Sequence, residues 1–190
     1  MLSISPETIF RGNYAWEKAL PQIINFTKSP LILGRSVQTN DIKNKIIKDL
    51  KNQNLSVNWA NLQFDCCYED ISKVKNIILN NNNDAVIAAG GGKVIDSGKY
   101  IAEILNIPCI TVPLSASTCA GWTALSNIYT KKGQFIKDVA LRSCPKILVF
   151  DHKFIQTAPS RTLASGIADA LAKWYESSIT SSTIEDGLVQ

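Results

Sequence analysis

The sequence predicts an α/β fold: a parallel sheet with flanking helices and a β-hairpin, followed by the first helix of a further helical unit. Three observations carry that expectation. Short apolar runs alternate with amphipathic stretches of about 10–15 residues, the pattern of βαβ units. The runs are apolar throughout, as strands covered on both faces require. Two of them, Pro30–Gly34 and Ala85–Ala89, run straight into glycine, which marks the end of a buried strand.

Taken in order, Tyr14 to Thr27 places Trp16, Leu20, Ile23, Ile24 and Phe26 near one helical face, with Pro21 expected to kink or delimit the helix. The strand Pro30–Gly34 follows. Asp41 to Leu50 repeats apolar residues at helical spacing, Leu55 to Trp59 reads as a second strand, and Ile71 to Leu79 as another helix. The tract Asn80–Asp84 is too short to be more than a loop. After it come the strand Ala85–Ala89, the triplet Gly90–Gly92, and a helix from Lys93 to Leu105, on whose outer side Lys99 and Glu103 are expected to pair. Ile107–Val112 and Ile147–Phe150 complete the strands. Between them, Ala124 to Val139 is split by Lys131-Lys132-Gly133-Gln134 and reads as a β-hairpin laid over the sheet. From Pro159 the pattern is purely helical, and Ser181 to Gln190 do not finish a structural unit.

Composition narrows the class. The 190 residues are 45% hydrophobic and 19% charged, as in a packed globular chain rather than a disordered or collagen-like one. Twenty Lys+Arg against sixteen Asp+Glu leave a formal +4, too mild and dispersed to imply nucleic acid or an anionic membrane surface. No apolar run reaches the length of a transmembrane helix, and Met1–Pro6 shows no secretory signal, so a cytoplasmic protein is expected. The five cysteines form no C-x-x-C pair and read as free thiols of a reducing compartment.

Three segments could carry chemistry. Gly90-Gly91-Gly92-Lys93-Val94-Ile95-Asp96-Ser97-Gly98-Lys99 joins a buried strand to a helix. Glycine lets a ligand approach the backbone, and the helix N-terminus offers free N–H groups to a phosphate; a ligand-free tight turn would use the same residues. Neither the G-x-G-x-x-G fingerprint nor the P-loop spacing is present. Pro113–Thr123 places small and hydroxylated residues after a strand's C-terminal end, where open α/β sheets bind ligands. Gly166–Glu176 sets one acidic residue, Asp169, among Ala and Ile, either buried and paired or a metal ligand.

In this order and spacing the segments GGGKVIDSGK, VPLSASTCAGWTALSNIYT, ILVFD and ASGIADALAKWYE resemble the iron-containing alcohol dehydrogenase family, and most closely its glycerol dehydrogenase branch. The resemblance covers essentially the whole chain and implies the Rossmann-like N-terminal half of an enzyme about twice as long. Residues 1–158 would be the dinucleotide-binding domain and 159–190 the start of a helical metal and substrate domain. It also implies site residues. Gly90, Gly91, Gly92, Lys93 and Asp96 match the loop on the cofactor pyrophosphate and nicotinamide side. Ser117 and Thr118 match hydroxyl residues around the cofactor, and Thr123, Leu125 and Tyr129 match positions flanking the nicotinamide. Asp169 matches the first of three metal ligands, the other two being later histidines; His152 comes too early and reads as a solvated loop residue. Cys119 stands where glycerol dehydrogenases carry a substrate-binding Asp, Leu114 where a hydroxyl residue meets the adenine side, and Arg35 where an Asp often holds the ribose.

The resemblance thus implies a metal-dependent NAD- or NADP-linked alcohol or polyol dehydrogenase, with zinc ahead of iron as the divalent metal. Its partners would be a small alcohol substrate and either further copies of the chain or a C-terminal half, with no nucleic acid or membrane. A glycerol-1-phosphate dehydrogenase, a 3-dehydroquinate synthase-like lyase and a non-catalytic nucleotide-binding module are the alternatives.

Overall fold

The structure, a computed structural model, describes residues 5–181. Six parallel strands form the sheet: β1 (Thr8–Gly12), β2 (Pro30–Gly34), β3 (Asn58–Asn61), β4 (Ala85–Gly90), β5 (Cys109–Pro113) and β8 (Ile147–Asp151), in the order β1-β8-β5-β4-β2-β3. β6 (Leu125–Tyr129) and β7 (Phe135–Ala140) make the separate antiparallel hairpin. The helices are α1 (Ala15–Phe26), α2 (Asn40–Asn52), α3 (Tyr68–Asn80), α4 (Gly92–Leu105), the short α5 (His152–Gln156) and α6 (Ser160–Ser181).

Every residue of β2, β4 and β5 is buried, so the unbroken apolar runs do mark strands covered on both faces. One core packs Trp16 and Ile23 of α1 and Ile46 and Leu50 of α2 against Ile32, Ile87 and Ile110. The other packs Ile71 and Ile78 of α3 and Ile101 of α4 against Leu31, Leu33 and Val86. Alternate strand residues thus feed opposite cores, as the two-residue strand period requires. At the lower sheet edge, Asn83 donates to Ser29 O at 3.0 Å and to Asn58 Oδ1 at 2.9 Å, while Asp84 accepts the Lys28 and Ser29 N–H groups at 2.8 and 3.0 Å. Within the polar tract before β4, elsewhere exposed or half-buried, Asn83 is buried and forms a junction.

Several expectations change. β1 has no counterpart in the sequence reading. The second strand shifts to Asn58–Asn61, because Leu55 turns into the first core and only the later residues pair with β2. α1 continues through Pro21, which sits one and a half turns in, so the proline does not delimit it. His152 opens α5 behind the capping carboxylate of Asp151, with its ring edge-on to Phe150 at 6.0 Å, and is not a loop residue. The hairpin leans on α4, and its Ile128 reaches the second core. Glu103 pairs with Arg142, and Lys99 turns inward to Asp96, three residues back, so the expected Lys99–Glu103 pair does not form. All five cysteines are free; burial pushes the thiols of Cys66 and Cys109 up to about 12. Residues 182–190, most of the unfinished tail read from the sequence, lie outside the described residues. Among those described, no helix is long and apolar enough to cross a membrane.

Gly98 decides how close α4 comes to the sheet. A Cβ there would lie 2.5 Å from Ala88 Cβ on β4, well inside contact distance. Gly98→Ala therefore sets a helix-propensity gain of about 1 kcal/mol against an overpacking loss of about 1–3 kcal/mol. The clash should win. Urea unfolding is expected to show net destabilisation, and a more stable variant would mean that α4 has room to lift.

Candidate functional site

The chain leaves β2 into α2 on one face of the sheet and leaves β4 into α4 on the other, although β2 and β4 are hydrogen-bonded neighbours. Such a reversal opens a crevice outside the strands' C-terminal ends, the place where open α/β sheets hold ligands. A pocket of about 240 Å³ lies there, lined by Arg35, Ser36 and Thr39 after β2 and by Gly90–Val94 after β4. A second crevice of about 400 Å³ shares Ser36, Thr39 and Gly91 with it and extends to Ser115 and to Arg161 and Thr162 of α6. A larger cavity of about 490 Å³ opens at the opposite end of the sheet, around Glu103, Pro108 and Lys146, away from the glycine loop.

The three glycines have different reasons to be glycine. A Cβ on Gly90 would strike Val94 at 2.7 Å, which packing does not allow without a shift, and one on Gly92 would press Thr118 Cγ2 at 3.0 Å, a tight contact that Thr118 must yield to. A Cβ on Gly91 would meet only Ser115 Oγ, at an ordinary 3.7 Å. Its backbone, φ −81° and ψ −176°, is extended and open to any residue. Neither strain nor packing accounts for glycine at 91, and its missing side chain leaves space on the side shared by both crevices. Gly91 is also the N-cap of α4 and offers no side-chain cap, leaving the helix's first N–H groups to an outside acceptor. An anion such as a diphosphate fits that end.

Charge gathers beside it. Asp65, from the loop after β3, accepts Lys93 at 2.5 Å and lies 2.8 Å from Arg35. Lys93 also stands 5.3 Å above the Tyr129 ring, which meets Phe135 edge-on.

The loop carrying Ser117, Thr118 and Thr123 is fastened from below. Thr111 Oγ1 on β5 donates to Gly121 O at 3.0 Å, and Thr118 Oγ1 accepts the Ala120 N–H at 3.2 Å. The buried Lys99 ammonium contacts Asp96 Oδ1 at 3.0 Å, Ala120 O at 2.8 Å, Thr123 O and Oγ1 at 3.2 and 3.3 Å, and Leu125 O. Asp96 completes the knot by accepting the Asn127 N–H at 3.4 Å. Burial raises the Asp96 carboxyl above its ordinary value, against the pull of Lys99 and the Asn127 N–H. Ser117 Oγ is 3.1 Å from Ser115 Oγ, a crevice residue that sequence reasoning passed over. Leu114 is buried in the first core, and its N–H bonds Gly90 O.

α6 reaches this loop through Gly166, where a Cβ would lie 1.8 Å from Ala116 O. That backbone-to-backbone approach brings Asp169, one turn on, toward Cys119, which is exposed and in electrostatic reach of Lys173. Asp169 is not buried: its side chain is 41% exposed and sits 3.7 Å from Lys173. Leu163, Ile167, Leu171 and Trp174 are exposed, because α6 extends past the α/β body with that apolar face uncovered. The structure thus brings the glycine loop, Lys93, Ser117, Thr118 and Tyr129 to one end of the sheet, while Asp96 turns into the Lys99 knot. Asp65, Ser36 and Thr39 join them, and no spacing signal in the sequence marks these three.

Lys99→Met would leave the Asp96 carboxylate and several carbonyls buried without their cation. A loss of about 3–5 kcal/mol is expected in urea unfolding at neutral pH. Because the folded Asp96 pKa is raised, its carboxyl contributes stability below its unfolded value that is lost as pH rises through the folded one. Without Lys99 that window widens upward, so the variant should regain stability relative to wild type as the pH falls from 7 toward 5. A constant difference would exclude Asp96 as the coupled group.

Comparison with known proteins gives a consistent result. A model of the iron-containing alcohol dehydrogenase family matches residues 6–152. An uncharacterized oxidoreductase of Synechocystis is 36% identical over 186 residues, 97% of this chain and 48% of its own. A glycerol dehydrogenase of Escherichia coli is 33% identical over 146 residues, 77% of this chain and 40% of its own. The crystal structure of glycerol dehydrogenase from Schizosaccharomyces pombe superposes with a TM-score of 0.84 at 32% identity, covering 95% of this chain and 46% of that one. The chain spans about half the length of the curated relatives it matches.

Proposed function

The chain belongs to the iron-containing alcohol dehydrogenase family, and from that premise we propose that it is the cofactor-binding half of a metal-dependent, NAD(P)-linked dehydrogenase of small alcohols or polyols. The observation that carries this reading is Gly91, a glycine that neither packing nor backbone strain requires, placed at an uncapped helix N-terminus in the switch-point crevice. Residues 1–158 act as the dinucleotide-binding domain and 159–190 open a helical domain whose continuation covers the apolar face of α6.

The nicotinamide supplies the acceptor for the two electrons and hydrogen taken from the alcohol carbon. The chain's own residues supply position and charge. Gly90–Gly92 and the first N–H groups of α4 hold the diphosphate against the helix dipole, with Lys93 adding a positive charge. The hydroxyls of Ser117 and Thr118 bond the cofactor, and Thr123, Leu125 and Tyr129 flank the nicotinamide. Asp96 contributes by fixing that loop through Lys99. Cys119 meets the substrate, and a thiol is a weaker acceptor for a second hydroxyl than a carboxylate, which favours simple alcohols over glycerol.

The metal does not fit the described residues alone. Among them no group of three His, Cys, Asp or Glu stands together, and Asp169 faces Lys173. A catalytic zinc takes three protein ligands and keeps a fourth position open. The family resemblance, not this geometry, supports Asp169 as one ligand of a divalent ion, zinc ahead of iron, whose other ligands would lie outside the described residues.

Gly91→Val tests the loop. An extended backbone accepts a β-branched residue, so unfolding stability should stay within about 0.5 kcal/mol of wild type. Dinucleotide affinity in calorimetry should fall by about tenfold or more, roughly 1.4 kcal/mol. Equal affinity in the two proteins would remove this loop from the site. Elemental analysis of the 190-residue chain should likewise find no stoichiometric metal, and dinucleotide reduction with alcohols should be at background. Metal and turnover in that chain would show that its site is complete.

A further inference from the structure

We infer that Arg35 reads a phosphate on the 2′-oxygen of the adenosine ribose, so that this chain binds NADP in preference to NAD, and that the Asp65 carboxylate holds the place of that phosphate beforehand. The inference rests on the dinucleotide reading above and goes further, to the form of dinucleotide.

Topology fixes where the ribose reader must be. β2 is the hydrogen-bonded neighbour of β4 across the switch point, so the first residue past β2 stands beside the glycine loop that follows β4. In doubly wound folds an acidic residue in that region accepts the ribose hydroxyls, whereas an Arg accommodates a 2′-phosphate. Here the residue is Arg35, which lines the same pocket as Gly90–Gly92.

The charges around it favour phosphate over diol. Asp65 shares its two oxygens between Arg35, 2.8 Å from Oδ1, and Lys93, 2.5 Å from Oδ2. Two cations on one carboxylate leave one positive charge over, at the mouth of a pocket that also holds the Ser36 and Thr39 hydroxyls. A ribose diol adds no negative charge, while a phosphate monoester adds nearly two and matches the guanidinium fork. Asp65 is almost enclosed, its side chain 10% exposed, whereas Arg35 is 42% exposed and free to swing its outer nitrogens toward the ligand. Asp65 thus orients Arg35 and also competes with the phosphate for it.

Calorimetric titration of the chain with NADP, NAD, adenosine 2′,5′-bisphosphate and AMP tests this at the adenosine end alone, without turnover. NADP should bind about tenfold or more tighter than NAD, and the bisphosphate should exceed AMP similarly. Both gaps should shrink as salt is raised. Arg35→Asp should invert the ratios and leave AMP nearly unchanged, while Asp65→Asn should tighten the bisphosphate and not AMP. Arg35→Gln, which keeps a polar side chain at an exposed position, serves if the charge reversal perturbs folding, and should erase the preference. Equal binding of the two dinucleotides by wild type, or ratios untouched by the Arg35 variants, would overturn the inference and leave dinucleotide binding intact, with Arg35 a clamp between loops. Failure of every one of these ligands to bind would overturn both readings.

Discussion

The Lys99 ammonium is buried on the inner side of α4 and ties together that helix, the loop after β5 and the start of the hairpin. Removing such a charge from water costs several kcal/mol unless a counter-charge and further acceptors receive it. Asp96 provides the counter-charge one helical turn away, and Ala120, Thr123 and Leu125 provide oxygens from the loop and the hairpin. The requirement works in both directions. The cation satisfies carbonyl oxygens that the loop after β5 turns inward, and those oxygens with Asp96 replace the water the buried ammonium has lost.

From that knot outward, the parts of the crevice are set by how closely backbones approach. Gly98 lets α4 sit against β4, and Gly166 lets α6 touch the loop at Ala116. These two contacts place the glycine loop and Asp169 on either side of the Ser117 loop. Gly91 is different in kind, because the protein itself leaves the neighbouring space unfilled. A second polar device sits at the C-terminal end of β8: Asp151 accepts the Trp16 N–H at 3.0 Å and the Lys153 N–H at 2.9 Å, capping α1 and α5 with one carboxylate. This joins β8, which lies between β1 and β5, to the first helix.

The outer face of α6 exposes Leu163, Ile167, Leu171 and Trp174 together, the kind of apolar patch that marks an interaction surface. The chain also spans about half of its relatives' length, and Asp169, the acidic residue on that helix that the family resemblance singles out, sits 3.7 Å from Lys173.

The sequence by itself determined the sheet's central strands, the glycine loop, the hairpin and the family, because each is written in contiguous residues. An unbroken apolar run such as Ala85–Ala89 marks a buried element, and the glycine cluster at its end marks the passage from strand to helix. It did not determine β1, whose five residues alternate between half-buried and exposed at a sheet edge and carry too little apolar signal to stand out. Nor could it set the partner of Lys99. Helical spacing allows Lys99 to meet Glu103 or Asp96 equally, and the choice falls to Asp96 because the loop 120–125 seals that side from water and leaves Glu103 to Arg142. Tertiary structure alone also brought Asp65 to Arg35 and Lys93, which are 30 and 28 residues away along the chain but leave neighbouring strands at the same end of the sheet. Periodicity reports which face of an element is buried; only the folded sheet, by aligning the strands' C-terminal ends, decides which charges share a pocket.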